Sequence, residues 1–211
     1  MGKPANQPAS KDGFLFLGNQ PALDFVNTRP LQDGRPAELL GDFRALLRWF
    51  QAAGLLDSRQ AAGLRRRWGG SARALQTTAA MRRLREKLRR EILAWEQGGA
   101  IGRAMVDELN RLLAEHPMRT RLKTSGRSHA TELWFEAHKA GDLFAPLAHH
   151  AAALFAAADR RRVRKCAQCV LHFYDTSKKG TRRWCSMQLC GNRSKVAAYA
   201  ARRRRRNEIL I

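Results

Sequence analysis

The sequence predicts a mainly α-helical chain: a multihelical domain carrying one small β-hairpin, then a compact module of knuckle, hairpin and helix built on four cysteines. Three observations carry that prediction. Apolar residues recur at three- and four-residue steps over most of the first 158 residues, with glycines between the stripes. That rhythm gives way once, around residue 125, to strand-like segments either side of a turn. The only four cysteines, Cys166, Cys169, Cys185 and Cys190, fall as two close pairs separated by fifteen residues.

Residues 1–12 are polar, contain Pro4 and Pro8, and are expected to form a flexible tail ahead of a helical domain over 13–160 and a cysteine module over 161–211. Phe14 to Leu17 reads as a short strand or an apolar anchor. Pro21 suits the first turn of a helix, where its missing N–H costs nothing, and Leu23, Phe25 and Val26 would be buried there. Asp24, Asn27 and Thr28 are polar groups in that apolar context, and two readings stand. They tie down the loop at Arg29-Pro30, or they line a ligand-sensing pocket.

Asp42 caps a helix bearing Phe43, Leu46, Leu47 and Phe50, which Gly54 stops. Ser58 caps the next, which runs to Trp68 and ends at Gly69-Gly70. The longest helix spans about 74–96, with Met81, Leu84, Leu88, Ile92 and Trp95 inward and arginines and lysines on its other faces. Val106, Leu109, Leu112 and Leu113 mark another, closed by Pro117. Segments 119–124 and 131–135 flank a turn at 125–128 and form the β-hairpin. From Pro146 a helix resumes with Leu147, Ala151, Leu154, Phe155 and Ala158 inward, and it is expected to continue into Arg160-Arg161-Arg162, whose charge suits a helix C-terminus. His149 and His150 are neighbours on it, roughly 100° apart, and cannot chelate one ion from one face.

Two thiol pairs with a loop long enough to fold back meet the demand of a tetrahedral metal. Zn²⁺ suits four sulfurs; Fe–S and other soft metals use the same donors. Disulfides belong to secreted proteins, and nothing at the N-terminus resembles a signal peptide. Sulfur at every position leaves no opening for water or substrate, so a single zinc would be structural. Metal binding and folding of the module would be one event, worth on the order of 10 kcal/mol. Cys166 and Cys169 would form the knuckle, residues 170–184 a hairpin turning near Lys178-Lys179-Gly180, and Phe173, Tyr174 and Trp184 the wall around the metal. Cys185 and Cys190 would enter a terminal helix, a treble-clef-like order; a zinc ribbon, with a second hairpin in place of the helix, competes with it. Gly191 would let the backbone turn past the last ligand, and Asn192 would donate to a thiolate or cap the helix.

Trp184-Cys185-Ser186-Met187 followed by Cys190-Gly191-Asn192-Arg193 resembles the CGNR-type zinc finger. Leu23-Asp24-Phe25-Val26-Asn27-Thr28 is similar to the signature of the ABATE domain that usually precedes this finger. The resemblance implies a bacterial transcription regulator, of a kind sometimes linked to stress. It also implies an N-terminal domain that senses a small-molecule effector.

Lysine and arginine number 40 against 18 acids, a net charge of +22, and residues 159–211 hold 16 basic residues to 3 acidic. A polyanion is the natural partner. A membrane is not: no apolar run approaches the ~20 residues of a span, and the terminal helix has only Val196 and Tyr199 as sizeable apolar groups, too few for interfacial insertion. The cytosol is the expected compartment. Arg202, Arg203, Arg204, Arg205 and Arg206 cover every face of a helix, so none of those faces can be core; a solvated tail is the alternative. With Arg182, Arg183, Arg193 and Lys195 they could neutralise several phosphates, and arginine also pairs with guanine in the major groove. DNA is therefore expected ahead of RNA, on which Phe173, Tyr174 and Trp184 could stack. A zinc-thiolate redox sensor and a protein-interaction finger are the rivals. No Gly-x-Ser-x-Gly, phosphate-cradling loop or His-Glu-x-x-His occurs, and no enzymatic role is expected.

Overall fold

The computed structural model describes residues 10–126 and 128–208, with the backbone alone for 125, 198 and 203–208. Ser10–Lys11 (β1) and Phe14–Leu15 (β2) pair antiparallel across Asp12-Gly13, both at positive φ, so the end of the expected tail is a hairpin. Pro21–Val26 (α1) starts at its proline. Leu31–Gln32 (β3) and Arg35–Pro36 (β4) close a second tight hairpin at Asp33-Gly34, again both at positive φ. Phe43–Ala52 (α2) has Asp42 as its cap, the carboxylate accepting from Ala45 N at 2.7 Å, and the chain leaves it through Gly54 at φ 72°. Ser58–Trp68 (α3) is capped by Asp57 rather than Ser58. Asp57 and Gln60 form a reciprocal capping box, which satisfies two orphan N–H groups where a serine one residue later would meet one.

Ala72–Glu96 (α4) begins two residues before the expected start, behind the Ser71 cap. Arg103–Glu115 (α5) follows. Arg119–Ser125 (β5) and Ser128–Trp134 (β6) pair over their full length: the expected hairpin forms, with Ser125 and Ser128 paired where the turn is expected and Phe135 beyond the strand. A 3₁₀ turn, Ala140–Leu143, leads into Phe144–Ala157 (α6), with Pro146 in its first turn. The expected continuation into the arginines does not occur. Ala158 is extended, and Asp159 accepts from Arg161 N at 3.0 Å to cap a separate 3₁₀ turn over Arg160–Arg162. Val163–Lys165 (β7) and His172–Tyr174 (β8) then pair across the first cysteine knuckle. The finger hairpin therefore surrounds Cys166 and Cys169 instead of following them. Asn192–Glu208 (α7) ends the described chain. No helix among the described residues is long and apolar enough to cross a membrane.

The main core lies between α1, α2, α4, α5 and α6. Met81, Leu84, Leu88, Ile92 and Trp95 of α4 are all buried, and each large apolar side chain removed from water contributes roughly 1.5–3 kcal/mol. Trp49 is fully buried, with Phe50 edge-on at 5.1 Å and Phe25 at 5.3 Å. On α5, Met105 turns inward where Val106 was expected; Val106 is exposed. Arg85 departs from the expected polar face of α4 and is 1% exposed. It can be buried because it is paired: Glu38 takes both ends of its guanidinium, one bond at 2.7 Å, and Glu86 takes its Nε at 3.0 Å.

A second core sits inside the finger, where Cys166, Leu171, Phe173, Cys185 and Cys190 pack with Leu17 from the other end of the chain. Val163 and Tyr174 of the finger hairpin pack in turn against the main core. The finger is thus seated on the helical domain, with no linker between them.

Candidate metal centre and nucleic-acid interface

Cys166, Cys185 and Cys190 are placed by bonds to their backbone that leave the sulfurs free to turn inward. Cys166 N donates to Leu171 O at 2.9 Å and closes the knuckle; Ala167 N donates to Arg183 O, also at 2.9 Å, and ties the knuckle to the returning loop. Ser186 Oγ accepts from Leu189 N at 3.3 Å and caps a wide π-type turn, Met187–Gly191, that carries Cys190 into α7. The four sulfurs lie within 4.8 Å of one another. Cys169–Cys185 and Cys185–Cys190 are each 3.7 Å apart. A tetrahedron with Zn–S near 2.3 Å has S···S edges of about 3.8 Å. The donor set therefore fits one structural zinc.

The electrostatics of the four thiols ask for the same cation. Cys169 accepts from Cys185 and is held down to about 5. Cys185 is driven far up by that same bond and by burial, and Cys190 is pushed up to about 12 by burial and the charge of Cys169. One thiolate is stabilised at its neighbours' expense, and only a cation among them lets the set ionise together. Cys185 N donates to Cys166 Sγ at 3.4 Å, and the backbone of Leu171 donates to Cys169.

Two expected helpers act differently. Gly191 is not at positive φ; a Cβ there would fall 2.2 Å from Met187 Sδ, so its role is to leave room for that side chain. Asn192 is exposed and bonds to no sulfur, and the capping role belongs to Ser186.

Asn27 directly, and Asp24 through Gly18, seat the finger, while Thr28 beside them is bonded within the helical domain. The Asn27 amide donates to His172 O and accepts from His172 N, both at 2.8 Å, and so pairs with β8 as a strand would. Asp24 accepts from Gly18 N at 2.7 Å, and Gly18 O accepts from Tyr174 N at 2.8 Å. Thr28 donates to Phe25 O and accepts from the buried Arg85 at 3.1 Å. All three side chains are buried and bonded within the protein. From α4, Glu96 accepts from Lys165 N at 2.6 Å. His172 is buried in this seat with no hydrogen bond on either ring nitrogen among the described residues, Glu96 Oε2 lying 4.0 Å from Nε2; burial, then the nearby Arg89 and Lys165, push its pKa down to about 4.

The loop after β8 is organised by Asp175, which is fully buried. Its carboxylate accepts from Ser177 N at 2.9 Å and Arg182 N at 2.7 Å, and although burial opposes the charge these bonds hold its pKa below the usual value. Arg182 is committed to the finger itself: its guanidinium lies 4.9 Å from the Phe173 ring and donates to Cys185 O at 2.6 Å. Arg183 is exposed and stacks over Trp184 at 5.5 Å. Lys178, Lys179, Arg183, Trp184 and Met187 line a cleft of about 470 Å³ beside the metal. The two lysines escaped sequence reasoning, which placed them only at a turn, although their charge was the signal.

Arg193, Lys195 and Arg202 are exposed on α7, as are Val196 and Tyr199. The side chains of Arg203, Arg204, Arg205 and Arg206 lie outside the described residues. Lys178, Lys179, Arg183, Arg193, Lys195 and Arg202 have no ion-pair partner among the described residues. Of the module's acids whose side chains are described, Asp159 pairs with Arg161 and Arg162, and Asp175 is buried.

Comparison with known proteins matches residues 19–158 to the ABATE family model, described as a putative stress-induced transcription regulator. Residues 162–203 match the CGNR zinc finger. No curated protein matches the chain. The first model alone covers well over half of the residues, and the second falls on the four-sulfur site. The chain belongs to the ABATE family and carries a CGNR zinc finger behind the family's domain.

Proposed function

We propose that this protein is a one-component regulator that binds duplex DNA through its zinc-held finger and α7. The observation that carries the reading is the set of six cations on the finger, without an ion-pair partner among the described residues, flanking a cleft and continuing onto an unpacked helix. From Asn192 to Arg202, every described side chain is exposed except Ser194 and Ala200, which are half-buried. A helix with no packed face is marginal in water, and a phosphate backbone supplies what this one lacks. Val196 and Tyr199 then offer apolar contact to thymine methyls within the groove.

The zinc holds this geometry and has no open position for chemistry, so the protein acts by binding and not by catalysis. The helical domain would receive the signal, and the expected place of action is the nucleoid in the cytoplasm.

Trp184 supports RNA as a second reading, because it lines the cleft under Arg183 and an unpaired base could stack there. The redox-sensor reading is weakened by burial of Cys166, Cys185 and Cys190, with Cys169 alone half-exposed. Filter binding of the zinc-loaded chain to duplex DNA and to single-stranded RNA of equal length separates the first two readings. Tighter binding to the duplex, weakened by Lys178→Glu together with Lys179→Glu, is the expected result. Preference for the single strand, lost in Trp184→Ala, would move the assignment to RNA.

A further inference from the structure

A second cleft, of about 540 Å³, opens in the helical domain between the N-terminal half of α4, the end of α5 and the start of α6. Its size is that of a small-molecule site. Arg73 and Thr77 lie one turn apart on α4 and both line it. Thr77 is 5% exposed, and its hydroxyl, which makes no hydrogen bond among the described residues, is not sealed from the cleft it lines. Thr78 beside it shows the ordinary alternative, donating back to Ala74 O at 2.9 Å. A hydroxyl open to the cleft and not bonded back to the helix can meet a ligand there.

Part of the remaining wall is made of flat rings. The His116 ring stacks on Phe144, centroids 5.7 Å apart at 26°, and Trp68 also lines the cleft, its Nε1 anchored on His138 O at 2.9 Å. Arg73 and Lys139 have no ion-pair partner among the described residues. Asp142 is the one acid in the lining; its Oδ2 accepts from His138 N at 2.9 Å and Lys139 N at 2.7 Å, and its Oδ1 lies 3.8 Å from His116 Nδ1, so two cations, Arg73 and Lys139, stand against one carboxylate.

We propose that this cleft binds a small planar organic anion, an aromatic carboxylate in the simplest case. Arg73 and Lys139 take the carboxylate, the ring lies among Trp68, His116 and Phe144, and a ring hydroxyl meets Thr77. The site is distinct from the Asp24–Asn27 seat and does not depend on what the finger binds. Helix α4 nevertheless carries the cleft at one end and, through Glu96, the finger hairpin at the other.

The test is calorimetric titration of the zinc-loaded full chain with 2-naphthoate, its neutral analogue 2-naphthalenemethanol, and 3-hydroxy-2-naphthoate. The expected result is one saturable site per chain that favours naphthoate over the alcohol by about tenfold or more. Arg73→Glu and Lys139→Glu should each weaken it by about tenfold, whereas Arg103→Glu, on the exposed face of α5, should not. The 3-hydroxyl should improve binding several-fold in the wild type and lose that gain in Thr77→Val, which is nearly isosteric and leaves naphthoate binding as a check on folding. No binding, equal affinity for acid and alcohol, or equal losses in all three charge reversals would overturn the proposal. The last outcome would mean that the anion only samples a cationic surface.

Discussion

Replacing Asn27 by alanine should unseat the finger. The amide makes two bonds of 2.8 Å to the backbone of His172, across 145 residues of sequence, at a position 1% exposed. Truncation leaves a buried N–H and a buried C=O unmet, each at about 1–3 kcal/mol. The expected loss is therefore about 2–6 kcal/mol, nearer the lower figure where water enters the space. Urea denaturation of the zinc-loaded protein measures it. Because the sulfurs are ordered by the same hairpin, competition against a chelator should also show zinc affinity falling, tenfold for each 1.4 kcal/mol or so transmitted to the site. Asn27→Asp is the sharper probe. It keeps size and the acceptor for His172 N–H, but sets a carboxylate oxygen against His172 C=O, and should be at least as damaging near neutral pH. An alanine variant within about 0.5 kcal/mol of wild type, with unchanged zinc affinity, would refute the clamp and return Asn27 to the ligand-pocket reading.

Strong chelation should release one zinc per chain and unfold the finger, with protection loss in hydrogen exchange spreading to Leu15 and Leu17, which pack on it. Unchanged protection there would mean that the finger folds apart from the seat. Asp24 predicts a pH dependence: burial raises its pKa to about 7, against the bonds from Gly18 and Leu17. A carboxyl whose folded pKa is raised contributes stability below its unfolded pKa and loses it as pH rises through the folded one. From about pH 5.5 to 7, wild type should lose about 1–2 kcal/mol relative to Asp24→Asn. Parallel stability profiles for the two proteins would show that the group is not perturbed.

Local chemistry made much of this legible. The α4 stripe, the Asp42 cap, the β5–β6 hairpin and the cysteine spacing each depend on neighbours a few residues away, and each stands in the structure. Asp12-Gly13 and Asp33-Gly34 carried a readable hairpin signal that the reading passed over, because their strands are only two residues long and show no alternation. Strands β7 and β8 are three residues each and gain their register from the knuckle between them, which no periodicity announces. Asn27, Thr28 and Arg85 depend on partners far along the chain. An isolated polar residue in an apolar run gives no sign whether it faces a ligand or a strand from the other end of the protein. Gly191 shows the same limit at short range, since only packing reveals that Met187 needs its space.

The decisive measurement is the slope of log K against log salt for the zinc-loaded chain on duplex DNA. At about 0.9 per phosphate neutralised, Lys178, Lys179, Arg183, Arg193, Lys195 and Arg202 together predict a slope near −5. Affinity that stays flat from low to moderate salt would contradict a nucleic-acid role for this finger.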